Sequence, residues 1–133
     1  MRAAYSGQQL ASAHLSALES PLDLLVGRHG QNLIEYLRIG AVGVIPGTEL
    51  ASALVPIVAA WAEGKKDEAI EAYGSIAAYI DFAMQDLDTV LDVGRAVTAR
   101  ALGFKQGLRR LPSGRDPQTL SAAIEAWWVH WEA

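Results

Sequence analysis

Cysteine is absent from the chain. That excludes a disulfide framework, a thiolate metal site and a cysteine nucleophile. It also suits a reducing cytoplasm, which is the expected location. Long apolar runs are scarce. The best, Leu50 to Ala62, reads LASALVPIVAAWA; it carries Pro56 and is far shorter than the run of about 20 residues that a spanning helix needs. No membrane segment is expected, and the opening MRAAYSGQQL lacks the apolar centre of a signal peptide. Positive charge is in short supply, with 11 Lys and Arg against 15 Asp and Glu and a net charge of −4. A nucleic-acid partner is therefore not expected, because such binding needs a basic face to neutralise phosphates.

What is present is enough for one ordinary domain. The chain has 133 residues, 51% of them hydrophobic, which excludes disorder as the main state. Helical spacing of Leu10, Ala13, His14, Ala17 and Leu18 predicts a helix over 7–19, ended by Pro21. The apolar run 22–26 (LDLLV) predicts a buried strand, followed by the tight loop 27–30 (GRHG). A helix follows over 31–39 with Gly40 at its C-terminal cap. A second buried strand is predicted at 41–45 (AVGVI). Pro46-Gly47-Thr48 then turns the chain, with Thr48 as N-cap of a helix over 49–62 that Gly64 ends. Strand, helix, strand in this order implies a parallel pair with a right-handed crossover. Because both strands are apolar nearly throughout, each is expected to be covered on two faces.

Beyond Gly64 only helices are expected, over 66–83, 86–102 and from 117 to about 130. An irregular segment, 103–115, precedes the last, and Asp116-Pro117 starts it. A lone two-stranded parallel sheet leaves bare edges, so the chain is expected to be part of a larger parallel α/β sheet.

The stretch LLVGRHGQNLIEYLRIGAVGVIPGTE resembles strand seven, helix seven and strand eight of the dihydrodipicolinate synthase/N-acetylneuraminate lyase family. The features that carry the match are the Gly-rich loop, the L-x-x-G-A-x-G approach to the second strand, and Pro46-Gly47. The G-x-x-G loop followed by I-P-G is most similar to the sugar-acid dehydratase members. AWAEGKKDEAIEAY and GRAVTARALGFKQGLRRLP are similar to helices of the family's C-terminal extension. The resemblance implies an α/β fold, a partial (β/α)8 TIM barrel comprising its last two strands and their helices. Residues 1–63 would be the C-terminal part of that barrel and 64–133 the helical extension. A whole barrel of this kind takes about 250 residues.

The family's chemistry is that of a Schiff-base lyase, an aldolase or dehydratase acting on pyruvate or a 2-keto sugar acid. A lysine amine condenses with the 2-keto group, and the iminium then acts as an electron sink for cleavage of a neighbouring bond. The resemblance places that lysine a few residues before Ser6-Gly7, near Arg2 or Ala3, where none occurs. The only lysines are Lys65, Lys66 and Lys105, and arginine does not replace a neutral amine. The isolated chain is thus expected to be inactive, with no catalytic residue of its own. What the resemblance leaves here is a substrate-binding rim: Gly27, Arg28, His29 and Gly30 after the first strand, and Ile45, Pro46 and Gly47 after the second. Arg28 or His29 would pair with a carboxylate or hydroxyl of a sugar acid. No cofactor and no metal are expected. The partners expected are a small 2-keto acid and either further copies of the chain or a complementing chain.

Other chemistry-bearing residues have plainer readings. His14 and His130 are expected in packing or surface roles. Trp61, Trp127, Trp128 and Trp131 are expected in a small core or a subunit contact. Asp81, Asp88 and Asp92 share a helical stripe read as a solvated face with Arg95 as a partner, and Arg109, Arg110 and Arg115 as a solvated turn. Two alternatives stand beside the lyase reading: a helical oligomerising module built on a barrel remnant, and one half of a split enzyme.

Overall fold

The computed structural model describes residues 22–105, 107 and 117–128. The expected helix over 7–19, the Ser6-Gly7 pair, His14, His130, Trp131 and the basic turn lie outside those residues. So do Asp116 and the side chain of Trp128. The described chain is mostly helical, with one small parallel sheet.

Strand β1 is Leu25–Val26 and β2 is Gly43–Val44. They pair in parallel, Leu25 opposite Gly43 and Val26 opposite Val44. Hydrogen bonds from the Val42 amide to the Leu24 carbonyl (2.9 Å) and from the Ile45 amide to the Val26 carbonyl (2.7 Å) extend the pairing at both ends. Helix α1, Leu33–Arg38, makes the crossover and buries Leu33, Ile34 and Leu37. Gly40 follows it with φ +102°, a conformation open to glycine at a helix C-terminus. The expected strands are thus present but shorter, β1 at its start and β2 at both ends.

Past β2 a single 3-10 turn, Thr48–Leu50, leads into α2, Ala51–Ala62. Thr48 does not cap it as the sequence suggested; Gly47 precedes the 3-10 turn and Leu50 precedes α2, neither with a side-chain cap bond, and the Thr48 hydroxyl meets that of Thr98 at 2.9 Å. Gly64 turns the chain with φ +80° into α3, Lys66–Ala83, the same span the periodicity predicts. The next rod has three parts: α4, Leu87–Thr89, a π-helical turn Val90–Gly94, and α5, Arg95–Leu102. Asp86 caps it by accepting from the Thr89 amide at 2.7 Å. Helix α6, Pro117–Trp128, lies against the rod, tied to α5 by an exposed Arg100–Glu125 pair at 2.8 Å.

The core is one cluster that joins β1, α1, α2, α3 and the rod. Leu33, Leu50, Leu54, Ile57, Ile80, Val93 and Val97 are its fully buried aliphatics, each contributing about 1.5–3 kcal/mol by leaving water. Trp127 stacks edge-on to Tyr79 at 5.4 Å and lies 5.3 Å from Phe82, and Trp61 packs on the core with Lys66 over its ring. These two tryptophans are core-associated, as expected. The Asp stripe is not a uniformly solvated face: Asp92 is buried, and Arg95 donates instead to the Gly107 carbonyl at 3.1 Å.

The sheet also departs from expectation. Val26 is buried, yet Leu25, Val42 and Ile45 are 48%, 54% and 62% exposed. The helices of this chain cover one side of the strands, so the double cover that such apolar strands call for is only half supplied among the described residues.

Leu54→Ala, at a fully buried position, is expected to lower the urea unfolding free energy by about 2–5 kcal/mol. Val55→Ala on the same helix, at an exposed position, should stay within about 0.5 kcal/mol of the parent.

Candidate functional site

In a parallel pair the segments that follow both strands emerge at the same end. The loop after β1 and the turn after β2 are therefore neighbours by topology, although their residues lie about 20 apart. At this end the chain departs from ordinary backbone. Arg28, His29 and Asn32 have φ of +53°, +56° and +61°, with Gly30 at +79° between them. Left-handed conformation at non-glycine residues is strained and persists only where surrounding structure holds it.

Two tyrosines of α3 reach this loop. The Tyr73 hydroxyl donates to the Gly30 carbonyl and accepts from the Asn32 amide, both at 3.0 Å. Tyr79 acts through Glu49, donating its hydroxyl to Glu49 Oε1 at 3.4 Å. The same oxygen lies 2.9 Å from His29 Nε2. All three side chains are buried, with His29 at 8%, Glu49 at 6% and Tyr79 at 2% exposure. A buried carboxylate is costly unless its lone pairs are met by donors, and here it has two.

The pocket around that carboxylate is shaped by missing side chains. A Cβ on Gly47 would lie 2.6 Å from Glu49 Oε2 and 2.7 Å from His29 Nε2; one on Gly94 would lie 2.6 Å from Glu49 Oε1. Gly94 closes the π turn, so the extra residue in that turn brings backbone, not a side chain, against the carboxylate. Tyr79 is pushed well above the usual tyrosine range, first by burial and then by the negative field of Glu49. Tyr73 is raised in the same direction, chiefly by burial.

The rim residues read from the sequence divide into two groups. His29, Gly30 and Gly47 are turned inward. His29 is bound to Glu49, and a Cβ on Gly30 would press on Leu54 and Val44 at 3.3 Å. Gly27, Arg28 and Ile45 lie on the outside of the strand ends, with Pro46 half-buried beside them. Arg28 borders a cavity of about 200 Å³ with Leu24, Val26, Gly27, Asn32 and Tyr36. Its guanidinium makes no ion pair or side-chain hydrogen bond among the described residues. As substrate partners in the sequence reading Arg28 and His29 were interchangeable; in the structure only Arg28 faces outward. Glu49, Tyr73 and Tyr79 were not singled out from sequence. The available signal was topological: Glu49 lies five residues past the second strand, much as His29 lies three past the first.

Gly94→Ala should displace the Glu49 carboxylate and cost about 1–3 kcal/mol in thermal or urea unfolding. Combined with Glu49→Ala, which removes the group it strikes, the two losses should fall short of their sum, and additivity within 0.5 kcal/mol or so would show no contact. Tyr79 ionises more readily unfolded than folded, so its contribution to stability is complete below the ordinary tyrosine value of about 10 and is lost as pH rises beyond it. Stability should decline above that pH, and Tyr79→Phe should lessen the slope by up to about 1.4 kcal/mol per pH unit, read from urea unfolding between neutral and alkaline pH.

No protein-family model matches the chain, and no curated protein matches it either. Among solved structures it is similar to a dihydrodipicolinate synthase from Rhodopseudomonas palustris, with a TM-score of 0.77 and 20% identity, over 92% of this chain and 40% of that one. At that identity the likeness is one of fold, and this chain spans well under half the length of that protein.

Proposed function

We propose that the chain is the C-terminal part of a dihydrodipicolinate synthase-like (β/α)8 lyase, supplying the last two barrel strands, β1 and β2, and the helical extension. On this reading residues 1–63 belong to the barrel and 64–133 to the extension. The observation that carries it is the parallel β1–β2 pair, joined by a crossover helix, with both outer edges open among the described residues and Leu25, Val42 and Ile45 exposed. Apolar parallel strands need cover on both faces and neighbours on both edges. The fold match to 40% of a longer protein supports the same conclusion.

The chemistry follows from a 2-keto acid at the C-terminal mouth of the barrel, where this fold places its active sites. A neutral lysine amine adds to the keto carbon, and with one proton taken up the former keto oxygen leaves as water, giving an iminium that accepts the electron pair of the bond cleaved beside it. None of this chain's lysines serves that step. Lys65 is ion-paired with Glu63 at 2.8 Å, Lys66 sits over Trp61, and Lys105 is exposed past α5. The amine therefore comes from outside β1, β2 and their loops, and the chain alone is inactive. Arg28 offers a guanidinium at the mouth for a carboxylate or hydroxyl of a sugar acid. A cytoplasmic setting, with the open strands completed by further copies or by another polypeptide, belongs to the same reading.

Sodium borohydride added with pyruvate should leave the intact mass of the chain unchanged, and a reduced pyruvate adduct on any lysine would refute the missing-amine reading. The open sheet should bind the dye ANS, with less binding after Val42→Ser and Ile45→Ser. A monomer by light scattering that binds no dye counts against the partial barrel, while a discrete homo-oligomer that binds none has its strands covered by further copies.

A further inference from the structure

The loop after β1 holds three non-glycine residues in left-handed backbone within five positions. Nothing within the loop itself offsets that strain. Its internal bonds are two short-range ones, Gly30 amide to Gly27 carbonyl at 3.0 Å and Gln31 amide to Arg28 carbonyl at 2.9 Å. The remaining restraints come from elsewhere: Tyr73 of α3 on Gly30 and Asn32, Glu49 of the turn after β2 on His29, and an exposed bond from the Gln31 side chain to Asp81 at 3.5 Å.

Glu49 is the restraint that is built in most deeply. Its carboxylate is enclosed by Gly47 on its own turn, Gly94 on the π turn, His29 on the loop and Tyr79 on α3. At two of those positions a Cβ would strike the carboxylate, so both are glycine while Glu49 stays where it is. His29, fixed through Nε2, sets the direction of the adjoining residue, and Arg28 is the exposed cation of the loop.

We propose that Glu49 is a positioning residue, whose buried carboxylate, shared between His29 and Tyr79, keeps the 27–30 loop in its strained conformation and thereby presents the Arg28 guanidinium at the end of the strands. The use made of Arg28, to receive an oxygen-rich anionic group of a 2-keto acid, rests on the function proposed above. The positioning itself does not.

The test uses the full chain, labelled with ¹⁵N, and no ligand. Amide hydrogen exchange is read at Gly30 and Gln31, with Ile57 and Val58 of α2 as references. Glu49→Ala should accelerate the loop amides by ~10-fold or more beyond any change at the references, the pattern of local and not global opening. The His29 ring, a single Nε2–H tautomer when neutral in the parent, should lose that preference. Glu49→Gln keeps one acceptor oxygen and should restore part of both signals. If Glu49→Ala does not fold, Tyr79→Phe removes one donor, keeps the ring and should show the same local pattern at smaller size. Equal acceleration at loop and reference amides, or unchanged loop amides with an unchanged tautomer, overturns the proposal. The borohydride experiment is independent of all these readouts, so the two proposals fail separately.

Discussion

A carboxylate stripped of water is the constraint around which this molecule is arranged. Glu49 has almost no exposed surface, and an ionised group so placed is tolerated only with donors directed at it. Meeting that demand draws together residues from four parts of the chain: His29 after the first strand, Gly47 after the second, Tyr79 in the last third of α3, and Gly94 in the rod. Local anomalies find their reasons there. The loop is left-handed where His29 must turn inward, the rod departs from α-geometry where Gly94 must approach, and Tyr79 holds its proton more tightly because it is buried and its oxygen faces negative charge. The exposed ion pairs, such as Arg38 with Glu35, contribute far less, about 0–1 kcal/mol each.

The sheet carries the functional argument for a different reason. Parallel strands with apolar residues on both sides belong in the interior of an α/β layer. Here one side is packed by helices of this chain, while Leu25, Val42 and Ile45 face outward. The same strand ends hold an outward-facing arginine and a rigidified glycine loop. The similarity of fold to 40% of a dihydrodipicolinate synthase agrees with the partial barrel proposed above.

Much of the architecture was legible because it is governed by local chemistry. Apolar runs bounded by Gly27, Gly40 and Pro46 marked two strands, and their spacing around α1 dictated a parallel pair. The span of α3 followed from its periodicity and from Gly64 before it. The site was half legible. The Gly-rich loop announced itself, but its partners did not, because Glu49 and Tyr73 touch it across 20 and 43 residues of chain, and Tyr79 acts only through Glu49. A glutamate in the first turn of a helix ordinarily reads as an exposed complement to the helix dipole, and a tyrosine among Ile76, Ala77 and Ile80 reads as core. Thr48 was taken for a cap on the same local logic, whereas tertiary packing gave its hydroxyl to Thr98. Asp92, placed on a wet face by helical spacing, is buried because the π turn shifts the register there.

That shift has an implication for how the chain tolerates changes in length. A π turn accommodates one residue more than an α turn, and one residue of α-helix corresponds to about 100° of rotation. Deleting a single residue between Val90 and Gly94 would regularise the rod, yet it would swing every position on one flank around the axis and carry a side chain into the space reserved for a bare Cα. Gly64, exposed in a turn between α2 and α3, faces no such phase requirement. Insertions and deletions among relatives of this chain should therefore gather at the junction of α2 and α3 and spare the rod.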